Sequence, residues 1–147
     1  MANEAIYAYG TTKTLEASGA SAANNTVVAA NDAGYDLVTD GAGFPDAEFV
    51  AALTFATAPT INTVVALYAQ ELSIDGANNA VAPTTTFTRK FIGSFVLNSQ
   101  TGAQYIKIAA YDVPKNANYW LHNNATGQTL SAGWTLKVTP RTIKPAV

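Results

Sequence analysis

The feature that most restricts the fold of this chain is a two-residue alternation of apolar and other side chains. From Ala47 to Pro59 the pattern places Phe49, Leu53 and Phe55 on one face. The same period recurs in the segments 25–30, 63–72, 91–97, 105–108, 118–123 and 134–139. Successive side chains of a β-strand point to opposite faces, and turn residues separate most of these segments. The sequence therefore predicts about eight strands, and no segment has a helical period.

Eight antiparallel strands in one open sheet would leave an apolar face in water, so they are expected to pack as two layers. The sequence predicts an all-β protein, an antiparallel β-sandwich or jelly roll with an extended N-terminal arm. Residues 1–20 are expected to form that arm or an edge strand, residues 21–140 the sandwich, and residues 141–147 a C-terminal tail. Pro140 is expected to end the last strand, and Trp134 is expected to lie in the core.

The charged residues are few and are sorted along the chain. Nine of the ten acidic residues lie at or before Asp75, with one basic residue, Lys13. Seven of the eight basic residues follow it, with one acidic residue, Asp112. The two segments thus carry net charges of −8 and +6. Two explanations remain open: surfaces of opposite charge that meet partner proteins, or a fold that mixes the two segments in space.

The composition leaves little material for an active site. The chain has no cysteine and one histidine, His122, and it lacks the Gly-x-Ser-x-Gly turn of a serine hydrolase. We expect His122 to be a packed or surface residue, and we expect no enzyme activity and no zinc site. A pI near 5.1 argues against nucleic-acid partners, and no apolar run is long enough to span a membrane.

A few acidic side chains offer groups for catalysis or for metal binding. Glu48, Glu71 and Asp75 could supply a carboxylate pair of the glycosidase type, although carboxylates at strand ends are ordinarily solvated. Asp75 with Asn78 and Asn79 offers oxygen ligands for calcium, but their spacing does not match a twelve-residue calcium loop. We expect turn hydrogen bonding at this loop, no bound metal and no cofactor.

Aromatic residues are concentrated in the last third of the chain. Tyr105, Tyr111, Tyr119, Trp120 and Trp134 all lie there. Exposed aromatic rings on a β-sandwich can stack on sugars, whereas alternating aromatics usually form the core and cross-strand pairs. Trp120 is the ambiguous residue, because it faces away from Leu121. We favour a place in the core or in a subunit interface over sugar binding.

Three segments are distinctive as a set. They are FPDAEFVAALTFATAPT from Phe44, LYAQELSIDGANNA from Leu67 and GQTLSAGWTLKVTP from Gly127. Together they resemble small structural proteins of tailed-bacteriophage virions, a group that includes head decoration, or cement, proteins with a jelly-roll sandwich. The resemblance covers roughly residues 45–140. It brings no functional residues with it, because no motif of the group is tied to a defined site.

The resemblance implies a non-enzymatic virion protein that binds the major capsid protein and stabilises the head shell. Such proteins are made in the host cytoplasm, lie on the capsid surface and form homo-oligomers, often trimers. On this basis Ile6, Tyr7 and Tyr9 are expected to anchor the protein to a neighbour. The remaining expected partner contacts are Trp120, Arg141 and Lys144.

Two alternatives remain open at this stage. A tail, baseplate or fibre component would use the sandwich to bind a receptor or carbohydrate, and exposed aromatic residues near Trp120 would favour it. A free carbohydrate-binding module would bind soluble glycans as a monomer. A flat surface rich in alanine and threonine would instead favour the decoration protein.

Overall fold

The computed structural model describes residues 5–145. The regular secondary structure in that range consists of ten β-strands. The strands are β1 (Ala5–Tyr9), β2 (Lys13–Gly19), β3 (Thr26–Ala29), β4 (Tyr35–Asp36), β5 (Asp46–Leu53), β6 (Val64–Glu71), β7 (Phe91–Val96), β8 (Gln104–Ala110), β9 (Asn116–Asn124) and β10 (Trp134–Pro145). None of the described residues belongs to a helix that could cross a membrane.

The strands form two antiparallel sheets. The first has the order β1-β10-β5-β8, with β2 also paired to β10, and the second has the order β3-β9-β6-β7, with β4 also paired to β9. The order β2-β10-β5-β8 against β3-β9-β6-β7 is that of a jelly roll. The predicted all-β sandwich is confirmed, with short strands at β1, β2 and β4 added to the seven segments that the alternation indicates.

The core lies between the sheets, where the alternating residues meet. In β5 the odd-numbered residues are all buried, whereas the even-numbered residues face outward and are partly exposed. Trp134, Phe49 and Tyr119 are among the largest fully buried side chains, and the rings of Phe49 and Tyr119 lie 5.0 Å apart across the core. The predicted core position of Trp134 is confirmed, and its indole N–H donates to the Ala20 carbonyl at 2.7 Å.

The N-terminal segment does not form an extended arm within the described residues. β1 and β2 instead pair along the same side of β10, where Tyr9 faces Arg141 and Lys13 faces Val138. Both segments are therefore edge strands of the first sheet, which was the second possibility that the sequence left open. Met1–Glu4 lie outside the described residues.

Pro140 does not end the last strand, because β10 continues to Pro145. The Pro140 carbonyl accepts a hydrogen bond from the Gly10 N–H at 2.8 Å. In an antiparallel strand the nitrogen and carbonyl of one residue point to the same side, so the missing N–H of Pro140 faces the connection between β1 and β2. No ladder bond with β5 is lost there, which is why proline is tolerated.

The sequence separation of charge is not preserved in space. β1 to β6 come from the acidic segment and β7 to β10 from the basic one, and the two groups alternate across each sheet. Glu48 on β5 accordingly lies between Lys107 on β8 and Arg141 on β10, with nitrogen–oxygen distances of 3.2 Å to each. The explanation in which the fold mixes the segments is the one that the structure supports.

Gly19 allows the close approach of a strand to the core tryptophan. It pairs with Trp134 at a point where the register between β2 and β10 shifts. A Cβ atom at Gly19 would lie 2.0 Å from Cε2 of the Trp134 ring. No side chain larger than hydrogen therefore fits between the strand and the indole.

We expect Gly19→Ala to lower the free energy of unfolding by about 1–3 kcal/mol, the usual cost of overpacking a rigid core. Urea denaturation of the variant and the wild type measures this difference. Gly102→Ala is the matched control, because a Cβ there meets no atom within 4 Å. Equal stability of the two variants would contradict the argument.

Candidate binding surface

The carboxylates considered for catalysis are not brought together. Glu48 lies on the outer face of the first sheet, Glu71 ends β6 in the second sheet, and Asp75 lies in the loop that follows. Among residues 5–145 there is also no cluster of three or more histidine, cysteine or acidic side chains arranged to hold a metal ion.

The oxygens of the Asp75 loop are used within the turn. The Asp75 carboxylate accepts hydrogen bonds from the backbone N–H of Asn78 at 2.7 Å and from its side-chain amide at 2.6 Å. These bonds lower the pKa of Asp75 to about 2. The side-chain oxygen of Asn79 accepts a bond from the Ser73 N–H at 3.1 Å. Turn hydrogen bonding accounts for this loop, as the sequence predicted.

Five of the six residues expected to contact a partner lie together. We call β1 and residues 141–145 of β10 the terminal ribbon. Its paired residues include Ile6 with Lys144, Tyr7 with Ile143, and Tyr9 with Arg141. The pairing of β10 with β5 ends at Arg141, so the distal part of the ribbon is a two-stranded extension of the sheet.

The terminal ribbon exposes apolar side chains on both of its faces. Residues that face each other across an antiparallel pair point to the same side, so Tyr7, Tyr9 and Ile143 share the outer face of the first sheet. Tyr7 is 45% exposed and Tyr9 is 53% exposed. Ile6 projects from the opposite face and is also exposed. Exposed apolar groups in one place are typical of interaction sites.

Arg141 anchors the base of the terminal ribbon. Its guanidinium carbon lies 4.7 Å from the centre of the Tyr7 ring and 5.0 Å from that of Tyr111. Nη1 of the same group lies 3.2 Å from Oε1 of Glu48, whose other carboxylate oxygen is 3.2 Å from Lys107 Nζ. The aromatic rings exclude water from the ion pair, and cation–π attraction adds to the contact.

The hydrogen-bonding capacity of this guanidinium is only partly used. Arg141 is 5% exposed, and its Nε and Nη2 atoms are buried without a hydrogen-bond partner among the described residues. Glu48 is therefore the counter-ion of a buried positive charge. Removal of the counter-ion of a buried charge destabilises the folded state.

The sequence predicted Arg141 as a partner contact, and that role stays a prediction; the structure buries its side chain among residues that were not predicted to meet it. Glu48 was considered as a candidate acid, and Lys107 and Tyr111 had no assigned role. They reach Arg141 because β5 pairs with β10 on one side and β8 on the other, in a register that brings Glu48 opposite both Thr139 and Ala109. No local signal in the sequence encodes that register.

The rest of the outer face of the first sheet consists of three rows across β10, β5 and β8. One outer row is Thr135, Ala52 and Tyr105, the other is Thr139, Glu48 and Ala109, and the middle row is Lys137, Val50 and Lys107. Both lysines of the middle row are exposed, and Tyr105 is 78% exposed at the far edge. This face therefore combines small threonine and alanine side chains with two cationic ones, and tyrosines lie at its two margins.

Trp120 lies on the other sheet. It is half-buried on the outer face, in a row with Tyr68 of β6 and Phe91 of β7. The Tyr68 and Phe91 rings are 5.7 Å apart but inclined by 61°, so they do not form one flat platform. The buried side-chain nitrogens Trp120 Nε1 and His122 Nδ1 make no hydrogen bond to a described residue. Trp120 does face away from the core, as the alternation predicted.

The comparisons with known proteins identify no relative. No protein-family model matches the chain, and neither the curated proteins nor the solved structures contain a match.

We expect Glu48→Gln to lower the free energy of unfolding by about 3 kcal/mol, because the buried charge of Arg141 loses its counter-ion. Chemical denaturation measures the change. Lys107→Met is the matched control: it removes the exposed arm of the same cluster and is expected to cost less than about 1 kcal/mol. A Glu48→Gln variant as stable as the wild type would contradict the importance of the pair.

The buried histidine predicts a pH effect. Burial lowers the pKa of His122 below its usual value of 6.5. The folded state then binds the proton less tightly than the unfolded state, so the stabilisation is present above pH 6.5 and is lost as pH falls through the folded-state pKa. NMR titration measures the pKa of His122 directly, because the chain has one histidine and its imidazole signals need no further assignment. A midpoint no lower in the folded protein than in urea would contradict the expectation.

Proposed function

We propose that this chain is a non-enzymatic structural protein of a tailed-bacteriophage virion, a decoration protein that binds the major capsid protein and stabilises the head shell. It would be made in the host cytoplasm and act at the outer capsid surface. The proposal takes its class from the resemblance of the three sequence segments and its binding surface from the terminal ribbon.

The observation that carries the proposal is the exposure of the terminal ribbon. A two-stranded ribbon on its own is marginally stable in water, and this one carries apolar residues on both faces. Its side chains gain most when a partner surface covers them. Arg141 fixes the base of the ribbon, so Tyr7 is held in place before binding and less conformational entropy is lost on docking.

The adjoining outer face of the first sheet supports the same proposal. It combines small threonine and alanine side chains with the exposed Lys137 and Lys107, which suits a partner surface that carries acidic groups. Two of the carboxylates considered for catalysis are held in structural contacts: Glu48 with Arg141, and Asp75 within its own turn. A mechanical role in which the protein clamps neighbouring shell subunits requires no further chemistry.

A second candidate function is favoured by the aromatic row of Phe91, Tyr68 and Trp120 on the other sheet. Phe91 is 58% exposed, and exposed rings on a sandwich can stack on sugars. A tail, baseplate or fibre protein with a receptor- or carbohydrate-binding role would use such a row. The inclination of the rings makes this the weaker candidate, and binding of soluble glycans that is lost in Phe91→Ala would favour it.

Replacement of both Tyr7 and Tyr9 by alanine is expected to weaken binding to capsids roughly tenfold or more, because two large contact side chains are lost. The measurement is co-sedimentation with heads of the virus that encodes the protein, stripped of their own copies. The wild type is expected to bind saturably, at a fixed ratio to the major capsid protein, and to improve the survival of heads on heating.

The matched control is Phe91→Ala, which removes an aromatic side chain of similar exposure, 58%, from the other sheet. It is expected to bind as the wild type does. Unchanged occupancy of the double variant on heads would remove the anchoring role of the tyrosines. A wild-type protein that binds isolated tails and does not bind heads would instead be a tail protein.

A further inference from the structure

The outer edge of β1 has no partner strand among the described residues. β1 pairs with β10 along one side, and no backbone hydrogen bond to another described residue reaches its other side. An edge of this kind presents unpaired N–H and carbonyl groups to whatever lies beside it.

The register identifies the free groups. Gly10 donates its N–H to the Pro140 carbonyl, so this facing pair is of the hydrogen-bonded type. Hydrogen-bonded and non-hydrogen-bonded pairs alternate along an antiparallel ladder. Ile6 and Ala8 therefore bond to β10, whereas the N–H and carbonyl groups of Ala5, Tyr7 and Tyr9 point away from the sheet.

This edge lacks the features that usually prevent strands from pairing. Proteins protect exposed edges with charged residues, proline or bulges. β2, on the same side of β10, contains Lys13 and Glu16, and β8, at the opposite edge, contains Lys107. The sequence of β1 is AIYAY, which has no charge, no proline and a high strand propensity.

We propose that β1 is a dimerisation strand, which pairs antiparallel with β1 of a second copy of this chain. A two-fold axis between the two Tyr7 residues sets Ala5 opposite Tyr9 of the other copy. Every outward-pointing N–H and carbonyl group of the strand then has a partner. The two first sheets become one continuous sheet across the dimer, with the tyrosines of both copies on its outer face.

The self-complementarity of β1 is what favours a second copy over a different protein. A small residue, Ala5, faces a large one, Tyr9, so the rings fill the space that the alanines leave. The absence of charge means that a strand can face its own sequence without repulsion between like charges. An interface built on the same surface in both subunits closes by two-fold symmetry and stops at a dimer.

This inference does not depend on binding to a capsid. The dimer would present two terminal ribbons side by side, which suits a protein that bridges neighbouring subunits. The trimer that the phage resemblance implies would need a separate interface. The two proposals can fail independently, because association is measured on the purified protein without capsids.

The experiment is sedimentation equilibrium of the full chain, over the micromolar to millimolar range expected of a small interface. Ala5→Pro is expected to weaken association roughly tenfold or more, since each copy loses an outward N–H and keeps its tyrosines. Ala109→Pro is the matched control. The register of β8 with β5 places the N–H of Ala109 on the free edge at the opposite side of the sheet. It is expected to associate as the wild type does.

A second variant keeps the test decisive if proline displaces β1. Because the chain has no cysteine, Tyr7→Cys introduces a single thiol at the two-fold axis. Facing residues of paired strands are close enough for a disulfide, so mild oxidation is expected to link the copies. Tyr105→Cys, on a more exposed position, is expected to cross-link much more slowly.

A wild type that stays monomeric at the highest concentration would overturn the proposal. So would association that Ala5→Pro and Ala109→Pro affect equally, or cross-linking of Tyr7→Cys no faster than that of Tyr105→Cys. Association that depends on Ala5, together with selective cross-linking at position 7, supports it.

Discussion

The pairing of β10 is the constraint on which the rest of this structure depends. β10 bonds to β5 along one side and to β2 and then β1 along the other. Its first half puts Trp134 into the core against Gly19, and its second half brings Arg141 beside Glu48 and carries the terminal ribbon. One strand thus connects the packed interior to the candidate binding surface, so a shift of its register would disturb both.

The alternation in the sequence was sufficient to predict the sandwich, because burial of one face of each strand is a local property. It predicted the segment around Phe49 and the core position of Trp134, and both are confirmed. It did not predict that β10 would pass through Pro140. That outcome depends on which side of the strand faces the β1–β2 connection, and this is set by pairing between distant segments.

The candidate surface could be predicted only in part, for the same reason. Ile6, Tyr7 and Tyr9 were selected as apolar residues in a weakly patterned segment, and the structure places them on the terminal ribbon with Arg141 and Lys144. Their meeting with Arg141 results from the pairing of the two chain ends, which no short motif records. Glu48 and Tyr111 reach Arg141 through the pairing of β5, β8 and β10, so their contacts could not be predicted from the sequence.

The distribution of charge bears on the free edge of β1. Alternation of acidic and basic segments across each sheet brings opposite charges together, as at Glu48 with Lys107 and Arg141. β1 itself contains no charged residue, so its free edge has no charge to repel another strand. An edge without charge would promote uncontrolled pairing if it were long. β1 ends after Tyr9, and the charged strand β2 follows it along β10, which limits any added strand to the length of β1.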